Sequence, residues 1–176
     1  LLLASQSATA SLDAGPRVEV VWTEVAPEID GRLDEEVWKT AAVIDDFHTA
    51  VPEIAGTPSQ RTGVRILSDR DALYFAVECY DDRPDEIVAN HMLRDDVDTY
   101  WDDRVNFVID PFLSRRNGYF FQVNPVGVRR DGLVEGPNFE PNWDGIWTAK
   151  ARTTHEGWFA EVRLPYKTIG FDPKAT

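Results

Sequence analysis

The sequence predicts an all-β protein, a β-sandwich with one short helix near its start, and three features lead to this prediction. From Arg61 onwards, apolar residues alternate with polar ones in run after run, as expected of strands that pack on one face. Some intervals between the runs are short enough for hairpins, such as Ser68 to Asp71 and His155 to Gly157. Ahead of the runs, a single segment has the spacing of an amphipathic helix. The core-facing sets that the alternation predicts are Val64 and Ile66; Leu73, Phe75, Val77 and Cys79; Val105, Phe107 and Ile109; Tyr119, Phe121 and Val123; Trp147, Ala149 and Ala151; and Trp158, Ala160, Val162 and Leu164.

The predicted helix lies in the block from Ile29 to Ala42. Gly31 supplies a turn, and Asp34 is placed to cap the N-terminus of the helix. The apolar side of the helix consists of Val37, Trp38, Ala41 and Ala42. We therefore expect Trp38 to be a core residue.

Composition bounds the class of protein. The chain has 176 residues, 43% of them hydrophobic, which is enough for one folded domain with a real core. Its sequence contains no run of about 18 apolar residues that would predict a membrane-spanning helix. With 18 basic and 31 acidic residues the net charge is −13, which repels nucleic acid and favours neutral or cationic partners. Solubility or salt adaptation is an equally open interpretation of this charge.

The first residues resemble the end of a signal peptide. Leu1 to Ala4 are mostly leucine, and Ala8 to Ala10 form a small-x-small cleavage site. We therefore expect an exported protein of the periplasm, the outer membrane or the extracellular space, with residues 1–16 as a tail or signal-peptide remnant. A Ser/Ala-rich tail without that role is the alternative. Residues 17–176 form the predicted sandwich domain, and the end of the last strong strand at Pro165 leaves open that the domain lacks a final strand.

Four motifs, in order, resemble the family 9 carbohydrate-binding modules. They extend from about Glu28 to Phe171 and comprise Ile29-Asp30-Gly31 with Asp34 and Trp38; Val64 to Asp69 leading into Leu73 to Val77; Asp103 to Pro111; and Gly157 to Pro165. The resemblance implies a jelly-roll-like antiparallel β-sandwich, non-catalytic glycan binding and bound calcium. Studied members hold the sugar between two loop tryptophans, but the motifs that match here are framework motifs.

A further segment, from Phe121 to Gly132, resembles a subgroup in which the module precedes a C-terminal region like an outer-membrane β-barrel. This implies an alternative function, a periplasmic or surface domain that docks on its own C-terminal barrel. Heme-binding sandwiches share the fold, so heme binding is a third hypothesis. Its candidate ligands are His91 and Met92, and we expect Met92 to be a packing residue instead.

Two long polar intervals, Asp81 to Tyr100 and Asp131 to Ile146, are expected to be loops that carry binding groups. A tryptophan exposed in a loop can stack on the apolar face of a sugar, whereas one in phase with a strand or helix is usually core. Trp101, beside Tyr100, and Trp143 are therefore the candidate sugar platforms, with loop packing as the alternative. Trp38, Trp147 and Trp158 are expected to be structural, and Trp22 is ambiguous.

Polar strand residues are the candidate hydrogen-bonding groups of such a site. Asn106, Gln122 and Asn124 fall on the face opposite the predicted core positions of their strands. A glycan's hydroxyl groups need such partners in exchange for water. A solvated or packed sheet face is the alternative interpretation.

A dense acidic run from Arg94 to Asp103, which contains Trp101, is the candidate metal site. Its carboxylates are Asp95, Asp96, Asp98, Asp102 and Asp103. Calcium takes six to eight oxygen ligands, and this run could supply several of them. The spacing is not that of an EF-hand. Pairing of the acids with Arg83, Arg94 or Arg104, or simple solvation, is the alternative.

Nothing in the sequence indicates an enzyme. The three histidines, His48, His91 and His155, are scattered, and none belongs to a zinc-protease or a Ser/His/Asp motif. The chain also has no Gly-rich phosphate loop. The resemblance to the family 9 modules therefore implies a non-catalytic module that binds an oligo- or polysaccharide.

Overall fold

A computed structural model describes residues 17–49 and 54–170 of the chain, and it confirms the predicted all-β sandwich. One sheet has the strand order β1-β2-β3-β9-β8 and the other β4-β5-β6-β7. Neighbouring strands are antiparallel, apart from β1 and β2. The strands are β1 (Val21–Trp22), β2 (Thr62–Ser68), β3 (Ala72–Tyr80), β4 (Val105–Ile109), β5 (Asn117–Val123), β6 (Arg129–Glu135), β7 (Asn138–Glu140), β8 (Thr148–Thr154) and β9 (Gly157–Pro165). The predicted tail, residues 1–16, lies outside the described residues.

The helices of the described ranges are three short 3-10 helices, Glu36–Thr40, Pro84–Glu86 and Val97–Trp101. In these ranges no helix has the length and apolar character needed to cross a bilayer. The two later helices lie in the predicted loop between β3 and β4. That loop is therefore a series of short turns that can position side chains.

The main core lies between the two sheets, and its residues are those that the alternation predicts. Every member of the six predicted sets is buried in this core or packs against it. Phe107 stacks between Phe75 and Phe121, with ring centroids 5.0 and 5.3 Å away. Each fully buried large apolar side chain contributes about 1.5 to 3 kcal/mol to folding. The sandwich is thus a stable frame for its loops.

The predicted N-terminal helix is shorter than its sequence pattern suggests. It is a 3-10 helix of five residues, its N-cap residue is Glu35, and no side chain caps it, so the prediction for Asp34 is wrong. With about three residues per turn, Trp38 and Ala41 share the buried side. Ala42 lies beyond the helix end and is exposed, which corrects its predicted place on the apolar side.

A second, smaller core covers the outer face of the five-stranded sheet. Trp38 and Ala41 pack there on Leu67, Tyr74 and Ala76. The predicted role of Trp38 as a core residue is confirmed.

Glu161 of β9 ties this N-terminal segment to the sheet. Its fully buried carboxylate accepts hydrogen bonds from the backbone N–H groups of Asp30 and Gly31, each at 2.9 Å, and from Trp38 Nε1 at 2.9 Å. Burial raises the pKa of Glu161 to about 7, against the hydrogen bonds that favour its charged form. Two of the framework motifs therefore meet at one carboxylate.

The predicted loop from Asp131 to Ile146 contains strands, which corrects the sequence interpretation. Most of β6 and all of β7 lie within it. The alternation is masked because the charged residues Arg129 and Asp131 occupy core-facing positions of β6. Asp131 is fully buried, and Arg129 lies over the Trp147 ring at 5.4 Å.

Candidate functional site

Tyr100 and Trp101 form an exposed aromatic pair at the end of the 3-10 helix Val97–Trp101. Trp101 is 72% exposed and Tyr100 is 57% exposed. Their rings meet edge to face, with centroids 5.3 Å apart and an interplanar angle of 89°. The Arg104 guanidinium lies 4.3 Å from the centroid of the Tyr100 ring, and Arg104 Nη1 donates to Tyr100 O. The pair is thus held in a fixed relation and open to solvent.

The backbone under this pair is anchored at both ends of the helix. Asp96 accepts a hydrogen bond from Asp98 N at 2.9 Å and so caps the helix. Thr99 is buried, donates to Asp96 O at 2.6 Å and accepts from Gln122 Nε2 at 2.8 Å. The aromatic pair therefore projects from a segment fixed to the sheet.

Asp102, the residue after Trp101, is the second anchor. Its buried carboxylate accepts from Asn90 N at 2.9 Å, from His91 N at 3.2 Å and Nδ1 at 2.9 Å, and from Asn124 Nδ2 at 2.8 Å. Burial alone would raise the pKa of Asp102, but these hydrogen bonds outweigh it and hold the pKa below its usual value. Asp102 is a structural acceptor with no free coordination for a metal.

The expectation that Gln122 and Asn124 line an open polar face is wrong. Both side chains are buried: Gln122 holds Thr99, and the Asn124 amide binds Asp102, His91 O and the N–H of Val128. The loop between β3 and β4 lies over these strand positions and covers them. They support the aromatic pair from below and do not reach solvent. Asn106, directly across from Gln122 in the register of β4 and β5, is exposed.

Trp143 is only half-exposed. Its ring packs on the core, with centroids 5.1 Å from Tyr119 and 6.0 Å from Phe121. It also lines a cleft of about 340 Å³ with Ile146, Lys167 and Thr168. The alternative of loop packing is thus favoured for Trp143, although one edge still faces a cleft.

The five carboxylates of the predicted metal site do not converge. Asp96 caps a helix, Asp102 is consumed by internal donors, and Asp103 accepts from Val88 N at 2.7 Å. Asp98 is exposed. In residues 17–49 and 54–170, the acids whose oxygens lie within 4.8 Å of one another are Asp95 and two that the sequence interpretation missed, Asp131 and Asp144.

Arg94 lies among these three carboxylates and joins the loop of Trp101 to that of Trp143. Its Nη2 donates to Asp131 at 3.3 and 3.4 Å, to Asp144 and to Gly145 O at 3.1 Å, and its Nε lies 3.1 Å from Asp95. Burial, and then the charge of Asp131, raise the pKa of Asp95. The junction is therefore acidic, with one guanidinium as its cation.

This arrangement does not fit calcium. The predicted ligands are dispersed, and the acids that do converge already hold Arg94. One oxygen of Asp131, Oδ2, also accepts from Gly145 N and Trp147 Nε1, each at 2.8 Å. Calcium would need most of its six to eight ligands from groups that are already paired. The pairing of Asp131 has a sign in the sequence. Asp131 falls in the core-facing phase of β6, and a charged residue at such a position needs a partner.

Met92 differs from the expected packing, and its neighbour His91 is bound to a buried carboxylate. The His91 ring is bound to Asp102, and that hydrogen bond raises the pKa of His91 against the effect of burial. Met92 is 64% exposed and is not a packing residue, which corrects that prediction.

Comparison with known proteins agrees with the motifs. The model of the carbohydrate family 9 binding domain-like family matches residues 29–176. A family 9 carbohydrate binding module from Caldicellulosiruptor kristjanssonii in complex with glucose is similar in structure, with 18% identity, a TM-score of 0.60, and coverage of 83% of this chain and 66% of that chain. The same organism's module in complex with cellotriose gives 18% identity, a TM-score of 0.57, and coverage of 84% and 67%.

A candidate carbohydrate-binding protein from Bacteroides uniformis ATCC 8492 has 13% identity and a TM-score of 0.62, with coverage of 86% of this chain and 72% of that chain. No curated protein matches the chain. The chain spans about two thirds of the length of the Caldicellulosiruptor modules. At these identities the structural likeness establishes the fold, while the family match covers most of the sequence. Family 9 modules are non-catalytic carbohydrate-binding modules, and by its sequence match over residues 29–176 this chain belongs to the carbohydrate family 9 binding domain-like family.

Proposed function

We propose that this chain is a non-catalytic glycan-binding module whose sugar platform is the Tyr100–Trp101 pair. One observation carries the proposal: both rings are largely exposed, yet they project from a segment anchored by Thr99 and Asp102. An exposed aromatic ring on a fixed backbone offers apolar surface to a sugar without a large ordering cost. Family membership supports the choice of a carbohydrate as ligand.

Asn106 and Arg104 are the polar partners that this platform would use. Asn106 is exposed on β4, two residues after Arg104, whose guanidinium stacks on Tyr100. An amide and a guanidinium supply both donors and an acceptor to sugar hydroxyls. Gln122 and Asn124 act only through the loop that they hold in place.

The test is a calorimetric titration with glucose and cellotriose, the sugars bound by the Caldicellulosiruptor modules. We expect Trp101→Ala to lower affinity by about two- to twelvefold, because a stacked ring contributes roughly 0.5 to 1.5 kcal/mol. Trp22→Ala is the matched control, since Trp22 is also 60% exposed but lies on β1. Equal affinity of wild type and Trp101→Ala, or no binding of either sugar or of xylo-oligosaccharides by wild type, would refute the platform.

Trp143→Ala separates the two candidate tryptophans. Because Trp143 packs on Tyr119 and Phe121, we expect this variant to lose about 2 to 4 kcal/mol of unfolding free energy. A loss of sugar affinity as large as that of Trp101→Ala, without loss of stability, would instead make Trp143 the platform.

Export of the protein is a separate proposal, supported by the apolar start of the sequence and the Ala8 to Ala10 cleavage pattern. Cell fractionation and the mass of the mature N-terminus test it, with cleavage after Ala10 as the expected result.

Docking on a C-terminal barrel, the alternative function, predicts retention of the domain by that barrel in a pull-down and no sugar binding. Absence of a Soret band in purified protein would exclude heme.

A further inference from the structure

A second group of aromatic and charged side chains lies on the outer face of the five-stranded sheet, away from Tyr100 and Trp101. Glu78, Phe159 and Arg152 form one cross-strand row on β3, β9 and β8. Adjacent strands are about 4.8 Å apart, so the half-buried Phe159 ring has a carboxylate on one side and a guanidinium on the other. This row is the floor of a cleft of about 390 Å³.

The N-terminal segment builds one wall of this cleft, which we call the sheet cleft. Gly31 to Asp34 line it. The wall is fixed because Glu161 holds Asp30 and Gly31, and Gly31 lies so close to β8 that a Cβ there would be 3.1 Å from the Ala151 carbonyl carbon. The sheet cleft is therefore preformed and rigid.

Tyr80 extends the aromatic surface of the sheet cleft. Its ring meets that of Phe159 at 5.5 Å and 86°, and the Arg61 guanidinium covers its face at 4.0 Å. The Tyr80 hydroxyl donates to Glu78 at 3.4 Å, and Arg65 Nε lies 3.8 Å from the same carboxylate. Glu78 is thus held in place as an acceptor at the edge of the aromatic floor.

Three charged side chains that line the sheet cleft have no bonding partner among the described residues. In the part of the chain that the structure describes, the side chains of Asp34, Arg152 and Glu156 make no ion pair and no hydrogen bond, although all three line the sheet cleft. The sheet cleft thus offers carboxylate acceptors and a guanidinium donor beside aromatic surface. Groups of both signs around one ring suit a neutral polyhydroxyl ligand better than an anion or a cation.

We propose that the sheet cleft is a second saccharide-binding site, which takes a single pyranose unit. The choice of a sugar rests on the glycan-binding function proposed above, but the sheet cleft shares no residue with the Tyr100–Trp101 platform. The sugar's C–H face lies against Phe159 and Tyr80, its hydroxyls donate to Glu78, Asp34 or Glu156, and Arg152 donates to a sugar oxygen. A module with two separate sites can engage two chains or two parts of one branched glycan.

The experiment is a two-dimensional ¹H–¹⁵N NMR titration of the whole chain with glucose, mannose, galactose and xylose. We expect the amides of Phe159 and Thr154 to shift with one binding curve and those of Thr99 and Trp101 with another. Arg152→Ala should weaken binding at the sheet cleft at least tenfold and leave the second curve unchanged. Lys150→Ala is the matched control, because Lys150 is an exposed cation on the same strand and face but lies outside the sheet cleft.

Each outcome discriminates between the two proposals. Shifts at Thr99 and Trp101 alone, with none of the four sugars perturbing the sheet cleft, would overturn the second site and keep the platform. Shifts at the sheet cleft alone would keep the second site and overturn the platform. A sheet cleft that responds to glucuronate or to the dipeptide Gly-Gly but to none of the neutral sugars would overturn the pyranose assignment. Equal effects of Lys150→Ala and Arg152→Ala would show that Arg152 does not contact the sugar and would overturn the sheet cleft as its site.

Discussion

Glu161 and Asp131 are both fully buried, and each accepts hydrogen bonds from the indole of a core tryptophan and from a glycine N–H. Glu161 binds Trp38 and Gly31 on the outer face of one sheet. Asp131 binds Trp147 and Gly145 inside the sandwich, and it also binds Arg94. Glu161 has no such cation in the described part of the chain, and the nearby charge of Glu35 adds to the effect of burial on its pKa.

The presence of a cation at Asp131 and not at Glu161 distinguishes a carboxylate beside the candidate site from one that belongs only to the framework. At Glu161, donors from the N-terminal segment close the fold, and nothing there reaches Tyr100 or Trp101. At Asp131, the hydrogen bonds of Arg94 connect the buried carboxylate to the loops that carry Trp101 and Trp143. A buried carboxylate with only neutral donors thus fixes one segment, whereas one that also binds a partly exposed guanidinium links two loops to the core.

Removal of Asp131 should have the largest effect. Asp131→Ala leaves Trp147 Nε1, Gly145 N and Arg94 without their acceptor, so we expect a loss of about 3 to 5 kcal/mol in unfolding free energy. Urea denaturation measures the loss. Asp144→Ala is the control, because that carboxylate is exposed and its ion pair is worth under about 1 kcal/mol. Similar losses for the two variants would contradict the central role of Asp131.

The pH dependence of stability isolates Glu161. Its pKa is raised from 4.5 to about 7, so the folded protein holds this proton more tightly than the unfolded chain does. The resulting stabilisation is complete below pH 4.5 and is lost as the pH rises through about 7, with a total of at most about 3 kcal/mol.

Urea midpoints of wild type and Glu161→Gln from pH 4 to 8 measure this effect. Glutamine does not titrate, so the difference between the two proteins should change with pH while all other groups contribute equally to both. A constant difference across the range would show that Glu161 titrates normally.

Arg94→Met should cost about 2 kcal/mol, since Asp131 keeps its neutral donors but loses its cation. Because Arg94 lies among Asp95, Asp131 and Asp144, we expect calcium and chelator to leave the wild-type Tm unchanged and calcium to raise the Tm of this variant. A wild-type Tm that falls on addition of chelator would mean that a metal, not Arg94, holds the junction.

Gly31→Ala and Gly145→Ala should each lower the unfolding free energy by about 1 kcal/mol, but for different reasons. Gly31 has a φ of +88°, so Gly31→Ala strains the backbone and lowers Tm without touching Trp143. At Gly145 an added Cβ would lie 2.7 Å from Trp143 Cη2, so Gly145→Ala must displace that ring. The Trp143 indole resonance should shift in Gly145→Ala and stay in place in Gly31→Ala. A shift in both, or in neither, would contradict the separation of the two regions.

For much of the candidate site, the sequence predicts which residue types are present but not how their side chains are arranged. Tyr100 and Trp101 are predicted as binding residues because they lie at the end of a polar interval, and the structure leaves them exposed. Asp95 to Asp103 were grouped because they are close in sequence. Their side chains diverge, since a 3-10 helix and its cap direct neighbouring residues to different partners.

The sequence alone determined the core of this protein, because a period of two is a local property that each strand carries independently of its neighbours. It also determined the family, through motifs that resemble those of the family and a match over residues 29–176. Only the tertiary structure decided which polar residues are buried. Gln122 and Asn124 are predicted to line an open face and Asp131 to lie in a loop, yet all three are buried because partners from other segments reach them, as Trp38 reaches Glu161 across 123 positions. A buried polar group is stable only when such partners arrive, and no local pattern states where they will come from.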